Sequence, residues 1–288
     1  MKKISLGAAA LCATAWLNAS ASNSSYTAAT GASKLEFTGT QAGAEFTGTF
    51  HEYTASAEFN PDALEAARIA LKFRTPVYLL SDAYLANGSE PWCLPDVSTL
   101  PDITTTFTTD PDGFEPYARD PLTLARPWAL PGTPGLEHRI GGLEKEDRSG
   151  NISYDPDNHD LMTRLRAQKV AGIAADIPEL EVDHAGAGAE LLVLSWGGTY
   201  GPVAAGVRRV RKGGGAVDHA HLHYLNPFPR NTGDVLRSYE RVLVPEMNLG
   251  QLLKLVRAEF LVDAVGYNRV RGLPFRATEL QGAIEAML

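Results

Sequence analysis

The sequence predicts an α/β protein whose C-terminal third forms a small doubly wound parallel sheet. The main observation lies in residues 241–260, which begin with a short apolar run at 242–244, typical of a strand buried on both faces. We expect Pro245 to end this strand because proline has no N–H, and Asn248 to cap the following helix. Apolar residues of that helix recur with the spacing of one helical face, at 249, 252, 253, 256 and 260.

The second observation is that strand and helix alternate in the same way through the rest of this third. Residues 190–199 are predicted as a buried strand that ends in a glycine turn, and 199–211 as a helix. Further elements are predicted as a strand at 216–225, a short helix at 234–239, a strand at 263–267, and a closing helix at 278–288 capped by Thr278. This alternation indicates parallel strands with helices on both faces of the sheet.

The first residues of the chain have the pattern of a secretory signal. Lys2 and Lys3 precede an apolar run at 4–17, and a small-residue cleavage site follows at 19–21. We therefore expect a signal peptide at 1–21 and export to the periplasm, the alternative being a buried N-terminal helix. The apolar run is too short to span a membrane well, and no membrane span is expected.

The next segment, residues 22–64, has the texture of a β-hairpin. Apolar and polar residues alternate at 35–37 and again at 46–50, with turn residues at 41–43 between them. The stretches 33–50 and 57–62 resemble the start of the YceI family, exported lipocalin-like barrels that hold an isoprenoid or another lipid chain. That resemblance implies the alternative function, an exported periplasmic lipid-binding module, although the further strands that would close a barrel do not follow.

The character of the sequence changes after this segment. Residues 63–73 are predicted as a helix, and residues 75–82 as a buried strand of the parallel type. Helix followed by buried strand belongs to an α/β protein and not to an antiparallel barrel. We therefore expect a seam near residues 60–68, where two unrelated sequences have been joined into a chimera.

A candidate binding loop follows the predicted strand. Loops at the carboxyl ends of parallel strands are where open α/β sheets bind ligands. The polar residues expected to be exposed there are Asp82, Asn87, Gly88, Ser89 and Glu90. The alternative is that Asn87 and Gly88 form a simple tight turn and that Glu90 is a solvated carboxylate.

Residues 93–158 are rich in proline, which forbids long helices there. Their aromatic residues indicate an ordered arm and not a free linker, and a helix is predicted to follow at 159–177.

Composition limits the classes of function. Hydrophobic content of 44% is ordinary for a globular protein, and a net charge of −8 argues against a general nucleic-acid binder. The basic cluster at 208–212 is expected at a helix end, where it complements the helix dipole. The two cysteines form no CxxC pair, so no cysteine-based zinc or iron–sulfur site is predicted.

Two further patterns carry weak chemical signals. His219, His221 and His223 alternate, so a strand would place them on one face, where they could bind a metal. The favoured interpretation is instead a polar face turned to solvent or to an interface, and no metal site is predicted. The turn at 196–199 resembles a phosphate-binding turn but lacks the other residues of such motifs. No catalytic residue is predicted from spacing.

From about residue 65 to residue 288 the sequence resembles the C-terminal half of the α subunit of 2-oxoacid:ferredoxin oxidoreductases, most closely the 2-oxoglutarate type. The resemblance rests on five stretches, at 80–92, 131–142, 150–156, 225–229 and 244–252. It implies the tail of a thiamine pyrimidine-type domain at 65–128, a connecting arm and helix at 129–185, and a transketolase-C-terminal-like domain at 186–288.

The family decarboxylates a 2-oxoacid on thiamine diphosphate and passes electrons through iron–sulfur centres to ferredoxin, while coenzyme A takes the acyl group. The resemblance implies thiamine diphosphate and magnesium at the interface with a β subunit, an iron–sulfur cluster on the partner chain, and none held by this chain alone. Asp82, Asn87, Gly88 and Ser89 are then expected at the rim of the cofactor pocket.

The chain departs from the family in lacking the upstream Tyr-Pro-Ile-Thr-Pro stretch, the cofactor-activating glutamate and the Arg-Gly-Gly loop. We therefore expect an α-subunit fragment that is inactive alone. Ferredoxin and coenzyme A indicate the cytoplasm for the enzyme portion, in conflict with the export signal expected at 1–21.

Overall fold

The computed structural model describes residues 3–4, 35–41, 44–50, 61–82, 103–186 and 188–288. The chain divides into two compact units. The first consists of Met1–Leu71 with Pro76–Thr104, and the second of Lys72–Thr75 with Thr105–Leu288. Among the helices of the described residues, none is long and apolar enough to cross a membrane.

In the first unit, three strands form an antiparallel sheet in the order β1-β2-β3. These are β1 (Lys3–Ile4), β2 (Leu35–Gln41) and β3 (Ala44–Phe50). The pairing of Gln41 with Ala44 closes the β2–β3 hairpin and confirms the hairpin predicted there. The rest of the signal peptide predicted at 1–21 lies outside the described residues.

Helix α1 (Pro61–Phe73) confirms the helix predicted at 63–73, but the strand predicted at 75–82 is wrong. These residues form an irregular segment whose apolar side chains are exposed, with Tyr78 at 86% and Leu80 at 66% of their full accessibility. A strand of the parallel type needs a neighbour to share its backbone hydrogen bonds, and none of the described strands pairs with this segment.

The proline-rich arm of the second unit is ordered by side-chain packing and not by regular structure. Its pairings are single bridges, such as Tyr117 with Arg148, and the rings of Phe107 and Trp128 stack at 6.3 Å. Helix α2 (Pro156–Gly172) follows and continues as a 3₁₀ turn at Ile173–Ala175. It starts three residues before the predicted helix because Asp155 accepts a hydrogen bond from the N–H of Asp157 and caps it.

A five-stranded sheet forms the core of the second unit, in the order β4-β6-β5-β7-β8. Its strands are β4 (Val182–Asp183), β5 (Leu191–Trp196), β6 (Val217–Leu222), β7 (Arg241–Glu246) and β8 (Val265–Asn268). All pairs are parallel except β4–β6. The doubly wound parallel sheet is therefore confirmed, and the two-residue antiparallel strand β4 was not predicted.

Four helices cover this sheet, two on each face. They are α3 (Tyr200–Lys212), α4 (Thr232–Arg237), α5 (Gln251–Phe260) and α6 (Ala277–Glu285). Helices α3 and α6 pack with Leu191, Val193 and Leu243 on one face, whereas α4 and α5 pack with Leu192 and Leu194 on the other. Successive residues of the central strands pack alternately against the helices of one face and of the other. Both faces of these strands are therefore buried, as their apolar runs predicted.

Local details differ from the sequence prediction at three positions. Pro245 lies inside β7 and does not end it. The pairing of β7 with β5 stops before Pro245, but its pairing with β8 continues through this residue. Thr278 lies inside α6, whose first turn is instead stabilised by Glu279 accepting from the N–H of Arg276. Leu249, predicted on the buried helix face, is 73% exposed because α5 starts two residues later.

Candidate functional site

The topology of the sheet predicts a crevice between the ends of β5 and β7. These strands are neighbours, yet α3 leaves β5 toward one face and α5 leaves β7 toward the other. Ligands of open α/β sheets bind outside the carboxyl ends of the strands at such a switch point. The turn at 196–199 and the turn at 246–250 form its two sides.

Glu246 joins the two sides of the crevice. Its side chain is fully buried, and its Oε1 accepts hydrogen bonds from Trp196 Nε1 at 3.3 Å and from Asn248 Nδ2 at 3.0 Å. The same carboxylate accepts from the backbone N–H groups of Leu252 and Leu253, each at 2.9 Å. A buried carboxylate thus accepts the hydrogen bonds of backbone N–H groups in the first turn of α5, which have no partner within the helix. The helix dipole also favours a negative charge at this end.

Asn248 was predicted to cap α5, and its Oδ1 does accept from the N–H of Gly250 at 2.8 Å and of Gln251 at 3.1 Å. Gly250 itself has a φ of 80°, and a Cβ there would lie 2.8 Å from Asn268 Nδ2. Glycine is therefore favoured at this turn, chiefly for its left-handed backbone conformation. The opposite turn is held by Thr199, whose Oγ1 donates to the carbonyl of Trp196 at 2.7 Å.

A polar cluster lies beside the crevice, on the face that α3 covers. Ser195 Oγ lies 2.7 Å from His219 Nε2 and 2.7 Å from His221 Nδ1, and the ring of Tyr200 stacks on that of His219 at 5.7 Å. One hydroxyl hydrogen can serve only one of two neutral imidazoles, so the other must donate to Ser195 Oγ. The tautomers of the two histidines are therefore coupled through this serine.

Burial keeps these imidazoles neutral. It lowers the pKa of His219 to about 4, and that of His221, which also faces His223 and His219, to about 3. The prediction that the three histidines share one face is confirmed by their ring contacts. The favoured interpretation of that face is wrong for His219, which is only 3% exposed because α3 covers it.

A small cavity of about 130 Å³ lies past the carboxyl end of β8. It is lined by Arg269, Arg271, Arg276 and Glu279. Arg269 Nη2 donates a hydrogen bond to the carboxylate of Glu279 at 2.8 Å. The cavity's three arginines and one glutamate give this edge of the sheet a positive surface.

Of the residues predicted for the binding loop, Asp82 lies within the described part of the chain. Asp82 ends the irregular segment of the first unit and is half-buried, while Asn87, Gly88 and Ser89 lie outside the described residues. Sequence reasoning missed Glu246, and it singled out the turn at 196–199 without predicting the contact that Trp196 makes with this carboxylate. The available signal was a carboxylate directly after a buried apolar run, at the point where a helix was predicted to start.

Metal-ligating side chains do not cluster in the described part of the chain. Within the described residues no group of three His, Cys, Asp or Glu side chains is arranged to hold a metal ion. The chain has two cysteines, whereas such clusters are held by four ligands, usually cysteines.

Comparisons with known proteins give a consistent result. The chain is 56% identical over 226 residues to the 2-oxoglutarate oxidoreductase subunit KorA of Mycobacterium tuberculosis, covering 78% of this chain and 34% of that protein. It is 32% identical over 206 residues to the α subunit of 2-oxoacid:ferredoxin oxidoreductase 1 of Aeropyrum pernix, covering 69% of this chain and 32% of that protein.

Among solved structures, the fold matches 2-oxoglutarate:ferredoxin oxidoreductase from Magnetococcus marinus, with a TM-score of 0.67 and 27% identity over 76% of this chain and 38% of that chain. That structure has 2-oxoglutarate, coenzyme A and succinyl-CoA bound. The chain thus spans about a third of the length of these relatives. No protein-family model matches it, and the resemblance to the YceI family finds no support.

Proposed function

Because the chain is homologous to the α subunits of 2-oxoacid:ferredoxin oxidoreductases, we propose that it forms part of such a subunit and is inactive alone. The observation that carries this proposal is the 56% identity over 226 residues, which covers most of the chain. The proposed reaction is the oxidative decarboxylation of 2-oxoglutarate, or a similar 2-oxoacid, to the acyl-CoA. Ferredoxin is the proposed electron acceptor.

The cofactors of this reaction would be completed by other polypeptide. The proposal places thiamine diphosphate and magnesium at the interface with a β subunit, as the resemblance to the family implies. The iron–sulfur cluster would lie on a partner chain, since two cysteines cannot supply it here. Asp82, Asn87, Gly88 and Ser89 are proposed to border the cofactor pocket in the assembled enzyme.

The role proposed for the described sheet is to face the partner with its switch-point crevice. Tyr200 and Leu249 rim this crevice and are 56% and 73% exposed. Large apolar side chains at the mouth of a ligand crevice are typical of surfaces that another chain covers. The turns behind them are rigidly held through Glu246 and Thr199, as an interface requires.

Ferredoxin and coenzyme A place the proposed activity in the cytoplasm, and the relatives lend no support to the export signal expected at 1–21. The alternative function, an exported lipid-binding module, is not favoured. Lipid retained by the purified protein, detected by mass spectrometry after solvent extraction, would be evidence for that alternative.

Co-purification tests the proposal. The tagged chain is co-expressed with the β subunit of the Mycobacterium tuberculosis enzyme, and a stable complex is expected on size exclusion. The rim variant Leu249→Asp is expected to weaken the complex by about tenfold or more, whereas Leu261→Asp, 88% exposed just past the other end of α5, serves as the matched control. A chain that folds by circular dichroism yet elutes without the β subunit would contradict the proposal.

A further inference from the structure

The second unit contains a group of four cations that has one carboxylate partner. The group consists of Arg74, Arg119, Arg126 and Lys169. Arg119 forms an ion pair with Asp147 at 2.5 Å. Within the described residues, no carboxylate lies within ion-pair distance of the other three.

Backbone and aromatic groups hold these cations in place. Arg74 Nη1 donates to the carbonyl of Arg126 at 2.5 Å, and its guanidinium lies 5.0 Å from the ring of Trp128. The guanidinium of Arg126 lies 4.7 Å from the ring of Tyr117. These contacts fix the positions of the guanidinium groups but do not neutralise them.

Arg126 also carries an unsatisfied donor. Its Nη1 is buried and, within the described residues, has no hydrogen-bond partner. Such an orphaned buried group is rare and calls for an unseen water or ion. Lys169 lies close to the same arginines. Burial is the largest cause that lowers the pKa of its amine to about 8, and the positive charges of Arg119, Arg126 and Arg74 lower it further.

Like charges that converge without a counterion destabilise a fold unless an anion joins them. We propose that Arg74, Arg126 and Lys169 form a binding site for a doubly charged oxyanion of the phosphate class. Guanidinium forks match the oxygens of phosphate, and the two arginines alone balance its double negative charge. The ligand is free phosphate or the phosphate group of a nucleotide. The site needs no β subunit, so it stands or falls separately from the proposed function.

Thermal unfolding of the full chain tests this site, with phosphate replacing chloride at constant ionic strength. Phosphate is expected to raise the midpoint saturably in the wild type, because a ligand that binds only the folded state stabilises it. Arg126→Gln is expected to weaken binding by about tenfold or more, as the loss of a charged hydrogen bond predicts. Arg208→Gln, an exposed change on α3 with the same loss of charge, should behave as the wild type.

A labelling experiment on the wild type covers the case in which Arg126→Gln does not fold. Lys169 should be acetylated unusually fast near pH 8, and saturating phosphate should suppress its labelling while leaving exposed Lys212 unchanged. Adenosine monophosphate acting more tightly than phosphate, with adenosine inactive, would identify a nucleotide ligand; equal action would identify free phosphate. Equal responses of Arg126→Gln and Arg208→Gln, or unchanged labelling of Lys169, would overturn the proposal.

Discussion

Trp196 Nε1 donates a hydrogen bond to Glu246 Oε1 at 3.3 Å, across the switch point of the parallel sheet. The two residues end adjacent strands whose helices leave toward opposite faces. One buried carboxylate therefore holds both sides of the crevice and the first turn of α5. The geometry of the crevice and the stability of the sheet depend on the same group.

Replacing Glu246 should be costly. Glu246→Ala removes the acceptor of two buried backbone N–H groups and is expected to destabilise the fold by about 3 kcal/mol. Glu246→Gln keeps one oxygen acceptor and should cost less. Urea unfolding followed by circular dichroism measures both, with exposed Glu240→Ala as the control. A loss no larger than that of Glu240→Ala would show that the carboxylate does not cap α5.

The neutral histidines predict a pH dependence of stability. The folded-state pKa values of His219 and His221, about 4 and about 3, lie below the value of about 6.5 for an unfolded histidine. The unfolded chain therefore binds protons first as the pH falls. Stability is full above about pH 6.5 and declines toward pH 4, by about 1.4 kcal/mol per pH unit for each histidine.

Urea unfolding at a series of pH values measures this decline. The double variant His219→Gln with His221→Gln should lower the stability at neutral pH but flatten its dependence on pH. Exposed Lys254→Gln, on a helix of the opposite face of the sheet, should keep the wild-type slope. An unchanged slope in the double variant would rule out these two histidines as its source.

Two glycines test the contact between α3 and α6. A Cβ on Gly206 would lie 2.9 Å from Leu280 Cβ, so Gly206→Ala is expected to destabilise the protein by about 2 kcal/mol through overpacking. A Cβ on Gly282, in α6, meets nothing within 4 Å. Gly282→Ala should therefore stabilise by about 0.5–1 kcal/mol through helix propensity. Thermal unfolding of the two variants should show a lower midpoint for Gly206→Ala and a higher one for Gly282→Ala. A stabilising Gly206→Ala would contradict the close packing of these helices.

The sequence predicted the sheet and its helices because apolar periodicity reports burial directly. The valines of α3 and the run at 242–244 are buried as their spacing indicates. Strand order within the sheet follows from packing between distant segments and could not be obtained in this way. The wrong strand at 75–82 has the same cause, since the pattern shows that a segment favours a sheet without showing whether a neighbour is present.

The candidate site was predicted less well than the fold. Alternation placed three histidines on one face, but burial of His219 depends on α3 lying over that face. The role of Glu246 depends on which backbone N–H groups meet its carboxylate, and that is settled by the turn at 246–250. The binding loop was predicted from a strand that does not form, and its residues beyond Asp82 stay a prediction.

The central claim is that this chain does the work of the matching segment of an α subunit. The most direct test grafts its homologous region in place of the matching third of the Mycobacterium tuberculosis α subunit, co-expressed with that enzyme's β subunit. The measurement is 2-oxoglutarate-dependent and coenzyme A-dependent reduction of ferredoxin by the purified complex. We expect activity within about tenfold of the parent enzyme, a change of about 1.4 kcal/mol in the barrier. An assembled complex of the correct size with no such activity would contradict the account.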